Sequence, residues 1–120
     1  MSDPTYEQSV ADAKTRVQEI APRDAVAERA DRPDTVFVDV REPNEWSLFR
    51  IPGALHAPIG TLAEQIESQL PKERRAIVYC ARGNRSALAA DQLQQMGYMD
   101  VVSLADGIRG WVGAGGDVEE

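Results

Sequence analysis

Three short apolar runs punctuate the chain: Thr35 to Val40 (TVFVDV), Ala76 to Cys80 (AIVYC) and Val101 to Leu104 (VVSL). Each is rich in β-branched residues and too short for a helix, which predicts strands buried on both faces. Between them the spacing changes to that of helices. Ile59, Leu62, Ala63, Ile66 and Leu70 form one stripe that Pro71 ends. Ser86 to Met96 places Leu88, Leu93 and Met96 inward, with Gly97 as its stop. Pro22 suits the first turn of a helix running to about Ala30, and Pro43 opens a short helix through Phe49. Val17 to Ile20 and Ala54 to His56 read as brief strands, "IPGA" (51–54) as a turn, and a last short helix holds Ile108, Trp111 and Val112.

The two ends are less patterned. Residues 5–16 form a polar helix after Pro4 whose sparse apolar positions predict a loosely docked appendage. The tail GAGGDVEE carries no apolar period and reads as frayed. The expected organisation is therefore an N-terminal helical extension (1–16), one domain (17–114) and a flexible C-terminal tail (115–120). Strands that alternate with helices predict an α/β fold, a central parallel sheet of about five strands with helices on both faces. Such sheets bind ligands at the carboxyl ends of their strands. Cys80 and Asp39 both fall at that edge.

Composition narrows the chemistry. The 120 residues suit a single core, and the net charge of −7 argues against nucleic-acid and anionic-membrane partners. No apolar run reaches the ~18 residues of a membrane span. The start, MSDPTYEQSV, lacks the basic and apolar segments of a secretory signal. A single cysteine forbids an internal disulfide and a cysteine-only zinc site. The simplest location is the cytoplasm with Cys80 reduced, although an exported protein lacking its signal would read the same. Charge is uneven: Lys72, Arg74, Arg75, Arg82 and Arg85 face one acid, Glu73, between residues 72 and 86, while the remaining 8 basic and 19 acidic residues leave −11 elsewhere. Lys72, Arg74 and Arg75 read as a solvated face. Arg82 and Arg85 stand too close to Cys80 for that.

The loop Cys80-Ala81-Arg82-Gly83-Asn84-Arg85-Ser86 joins a strand to a helix. A free thiol of pKa near ~8.5 is mostly protonated at neutral pH, and the thiolate is the nucleophile. Three features favour the anion here. A helix N-terminus follows the cysteine, Gly83 lets successive N–H groups turn inward as an anion nest, and Arg82 and Arg85 bring full charges. Ser86 is placed to cap the helix. Against this stands the plain alternative of a buried strand-end cysteine followed by an ordinary glycine turn. The glycine and two arginines weigh for a reactive site.

The motifs VDVREPNEW (38–46), IPGALHAP (51–58) and CARGNRS (80–86), with GY (97–98) and GIRGW (107–111), occur in an order that resembles the single-domain rhodaneses, a sulfurtransferase family. The likeness covers about residues 17–112 and implies a rhodanese-like fold. It also implies that Cys80 takes the outer sulfur of a donor such as thiosulfate, carries it as a persulfide, and passes it to cyanide or a thiol. Ala81, Arg82, Gly83, Asn84, Arg85 and Ser86 would bind the substrate and the persulfide, with no metal or organic cofactor. The partners implied are a small-molecule sulfur donor and a thiol or cyanide acceptor, with a protein as the acceptor in the carrier reading.

The departures are local. Arg50 stands where the family often has histidine, and is either a positive wall of the pocket or a surface side chain. Asp106 occupies a common glycine position, which bears on turn geometry alone. Asp39 and Arg41 read chiefly as structural, His56 as scaffold rather than base, and Trp46 and Trp111 as packing residues. Three rival functions remain. One is a rhodanese-like binding or regulatory module, and one a persulfide carrier to a protein partner. The third is a cysteine phosphatase or arsenate reductase of related fold, whose loop has five residues between cysteine and arginine rather than the four between Cys80 and Arg85.

Overall fold

A computed structural model of the chain describes residues 4–120. Its elements, in chain order, are α1 (Pro4–Lys14), β1 (Gln18–Ile20), α2 (Pro22–Asp31), β2 (Val36–Asp39), α3 (Pro43–Leu48), β3 (Leu55–His56), a 3-10 turn (Ile59–Thr61), α4 (Leu62–Ile66), β4 (Ala76–Tyr79), α5 (Asn84–Gln95), β5 (Val101–Leu104) and α6 (Gly107–Gly113). The five strands form one parallel sheet in the order β1-β5-β4-β2-β3, with Val38 beside Val78 and Val78 beside Ser103. β4 is therefore the central strand, paired on both sides, and its four residues are all buried.

Alternation along β4 divides the core in two. Ala76, Val78 and Cys80 belong to the cluster that includes Leu62 and Ile66 of α4 and Ala87, Ala90 and Leu93 of α5. Ile77 and Tyr79 belong to the opposite cluster, with Ala25 of α2 and Ile108 and Trp111 of α6. Cys80 thus continues the face that packs α5, and the chain turns from it into that same helix. A strand buried on both faces and a helix folded back over it leave the loop between them little freedom.

The ends depart from the sequence reading. α1 is docked along α5, with Val10 and Ala13 buried. Arg16, just beyond it, makes two hydrogen bonds to the Asp91 carboxylate at 2.8 and 3.1 Å. The expected loose appendage is held because its few apolar residues share one face and a bidentate ion pair closes its end. The tail is likewise fastened rather than free. Arg50 and Glu119 exchange both backbone hydrogen bonds, and the Trp111 indole donates to the Asp117 carbonyl at 2.8 Å. The helix predicted over 59–70 is broken into the 3-10 turn, α4 and a further turn. Ile66 and Leu70 still reach the core, linked by the Leu70 N–H to the Ile66 carbonyl at 2.9 Å. No helix among the described residues is long and apolar enough to cross a membrane.

Candidate active site

The loop after β4 curls around the Cys80 sulfur. Gly83 adopts φ +101, a conformation open to glycine at little cost, and α5 begins at the next residue. The turn directs two backbone donors at one atom: the N–H of Gly83 lies 3.1 Å and that of Ser86 3.3 Å from Cys80 Sγ. The thiol can donate to Ser86 Oγ at 3.5 Å, and Ser86 Oγ meets Ser103 Oγ at 2.8 Å. Reversing this hydroxyl chain lets Ser86 donate to a sulfur anion, with Ser103 donating to Ser86 in turn. Ser86 and Ser103 are both buried, so each needs the other as partner.

The loop is clamped from the far side by α6. Ile108 N–H donates to the Cys80 carbonyl at 2.9 Å and Arg109 N–H to the Ala81 carbonyl at 3.4 Å. This approach requires Gly107, where a Cβ would stand 2.5 Å from the Ala81 carbonyl group and the Cys80 oxygen. Asp106 just before it has φ +61, which explains why glycine suits that position, while aspartate tolerates it.

Cys80, only 1% exposed, lies at a cavity of about 230 Å³ lined also by Ala81, Arg82, Asn84, Arg85 and Tyr6. Gly83 and Ser86 complete the cup from beneath through their amides. The two arginines differ. Arg85 is bound by both oxygens of Glu45, at 2.8 and 3.0 Å. Hydrogen bonding to Arg85 holds the Glu45 carboxyl down to about 2, against the penalty of partial burial, and Glu45 in turn raises the Arg85 guanidinium. Arg82 is exposed and makes no salt bridge among the described residues. It also lines an adjoining cleft of about 420 Å³ with Asp106, Arg109 and Gly110.

Arg50 is not among the residues that line the Cys80 cavity. Its guanidinium lies 4.8 Å from the Trp46 ring centroid, donates to the Trp46 carbonyl at 3.1 Å and meets Glu119 at 3.4 Å. Of the two readings of Arg50, the positive wall gives way to a structural post that holds the tail. Asp39 and Arg41 form a buried pair at 2.8 Å, and Arg41 also donates to the Phe49 carbonyl at 2.6 Å. They join the end of β2 to the segment after α3. His56 Nε2 bonds the Arg41 carbonyl at 2.8 Å, and its ring stacks on Trp46 at 4.5 Å. Lys72, Arg74 and Arg75 lie elsewhere; Arg75 is tied to Glu28 and Asp100.

Three residues at the site escaped the sequence reading. Glu45 lay within VDVREPNEW, but only the fold reveals its pairing with Arg85. Ser103 was legible as the one polar residue of VVSL, a buried hydroxyl in need of a partner. Tyr6 gave no signal.

A family model described as the rhodanese-like domain matches residues 22–114. The chain belongs to the rhodanese-like domain family. A sulfurtransferase of Allochromatium vinosum is 39% identical over 82 residues, 68% of this chain and 76% of that protein. The thiosulfate sulfurtransferase GlpE of Tolumonas auensis is 34% identical over 79 residues, 66% and 74% of the two chains. Some relatives are far longer: the match spans 49% of one from Bacillus subtilis and 19% of one from Mycobacterium tuberculosis. Among solved structures, a Rhodopseudomonas palustris protein of unknown function, described as a possible tyrosine phosphatase, is 31% identical with a TM-score of 0.87. The two cover 99% of this chain and 97% of that one. That likeness takes in α1, which lies outside the residues the family model matches.

Proposed function

We propose that this protein moves a sulfane sulfur from thiosulfate or another persulfide donor to a thiol or cyanide acceptor through a persulfide on Cys80. The observation that carries this reading is the sulfur's own environment. Two amides converge on Cys80 Sγ beside a cavity lined by Arg82, an arginine with no salt bridge among the described residues. Relatives named as sulfurtransferases support the same chemistry.

In the first step the Cys80 thiolate attacks the outer sulfur of thiosulfate. The bond between the two donor sulfurs breaks, and sulfite leaves with the electron pair. Arg82 offsets the donor's charge during entry, and the fixed N–H groups stabilise charge on sulfur without reorganising. Arg85, committed to Glu45, holds the start of α5 in place. In the second step the acceptor attacks the outer sulfur of the persulfide, and Cys80 leaves as thiolate. A carrier that hands sulfur to a protein shares both steps and differs in the acceptor.

The phosphatase reading draws on the Rhodopseudomonas neighbour. Two features oppose it. The loop holds four residues between Cys80 and Arg85, a small cup for a tetrahedral oxyanion. The guanidinium that would clamp the oxygens is already taken by Glu45 through two hydrogen bonds. The deciding experiment runs thiosulfate with cyanide beside an aryl phosphate. Thiocyanate that depends on Cys80, with negligible phosphate release, is expected. Efficient phosphate release through Cys80 without thiocyanate would overturn the assignment.

A further inference from the structure

α1 contributes more than packing. Tyr6 lines the Cys80 cavity, and Tyr6 and Asn84 also line a second groove of about 310 Å³ with Glu7, Val10, Ala11 and Lys14. Tyr6 and Asn84 border both spaces, so the groove adjoins the catalytic loop and lies along the helix. Lys14 stands in this groove with its ammonium 3.4 Å from the Asn84 amide oxygen. Among the described residues Lys14 makes no salt bridge, whereas Arg16 and Arg85 are neutralised by Asp91 and Glu45. Lys14 is thus an exposed cation held toward the loop by a neutral amide, with donor capacity to spare. Glu7 repels an anion from its own part of the groove, which favours Lys14 as the anion's place.

Thiosulfate is a compact dianion and needs only the Cys80 cavity with Arg82 at its mouth. An organic thiol brings a body as well as a sulfur. We infer that the α1 groove is the acceptor subsite, and that it takes a low-molecular-mass thiol bearing a carboxylate. The carboxylate pairs with Lys14, the body lies along Tyr6 and Ala11, and the sulfur enters past Asn84. The inference rests on the sulfurtransferase reading of Cys80. In the transfer, the acceptor thiolate bonds to the outer sulfur of the persulfide, and the S–S bond to Cys80 breaks. Its electron pair leaves on Sγ, and the product persulfide keeps the proton of the old one.

The test compares glutathione with glutathione diethyl ester as acceptors, the same body with and without carboxylate charge. Wild-type protein is expected to show a lower KM for glutathione, by about fivefold at low salt, as one exposed ion pair allows. Lys14→Glu should abolish or invert that preference, and Lys14→Arg should keep it. An unchanged preference in Lys14→Glu, or no wild-type preference, overturns the subsite while thiocyanate formation leaves the sulfurtransferase reading standing. Turnover with cyanide but none with glutathione overturns it too. Loss of thiocyanate formation in the wild type is the separate failure of the reading beneath it.

Discussion

Gly107→Ala tests how tightly α6 holds the catalytic loop. The new Cβ would stand 2.5 Å from Ala81 C and O and from the Cys80 oxygen, all backbone atoms. Ordinary contact begins near 3.4 Å, so α6 and the loop must part by about 0.9 Å. The 2.9 Å bond from Ile108 N–H to the Cys80 carbonyl does not survive such a shift, a loss of ~1 kcal/mol. Overpacking adds about 1–3 kcal/mol, and alanine at φ +59 costs roughly 1–2 kcal/mol more. The total is about 3–6 kcal/mol against a typical domain stability of about 5–15 kcal/mol. Gly53→Ala is the control, because Gly53 has φ +82 with nothing within 4 Å of the added carbon. Urea unfolding should show Gly107→Ala far less stable than Gly53→Ala, with slower sulfur uptake from thiosulfate under conditions where it is folded. Equal stability of the two variants would refute the clamp.

Three other outcomes follow from the same contacts. Asp39→Asn leaves Arg41 buried without its carboxylate and should cost ~3–5 kcal/mol in urea unfolding; a loss below 1 kcal/mol would deny the pair its structural role. Glu45 has a carboxyl held at about 2, below its unfolded value, so its contribution is full above the ordinary carboxylate range and fades as pH falls through about 2. Glu45→Gln should therefore be less stable than wild type near pH 6 and converge with it toward pH 2; a gap that stays constant over that range contradicts the pairing. Arg82→Ala should raise the KM for thiosulfate several-fold more than it lowers kcat, because an exposed charge at the mouth acts mainly on ground-state binding, and unchanged kinetics would remove its donor role.

The parallel sheet was legible because VFVD, AIVY and VVSL are strands whose neighbours in sequence punctuate them clearly. The cup was legible because its donors are local: Gly83 and Ser86 lie three and six residues from Cys80, within one turn of chain from the sulfur. What escaped was set by distant partners. Arg16 finds Asp91 75 residues away, and this pair anchors a helix too polar to announce its docking. Arg85 meets Glu45 40 residues earlier, a pairing that no local pattern announces. The tail has the composition of a free end, yet the Trp111 indole needs an acceptor and takes the Asp117 carbonyl, while Gly116 has no Cβ to strike the ring. Arg50 followed the tail rather than the cavity for the same reason.

The central claim is that Cys80 carries the sulfur, and intact mass spectrometry after thiosulfate treatment tests it most directly. The wild-type protein should gain the mass of one sulfur atom, lose it on addition of cyanide, and release thiocyanate in equal amount. Cys80→Ser should gain nothing. A wild-type protein that stays unmodified under these conditions, or a Cys80→Ser protein that produces thiocyanate at the wild-type rate, would contradict the account.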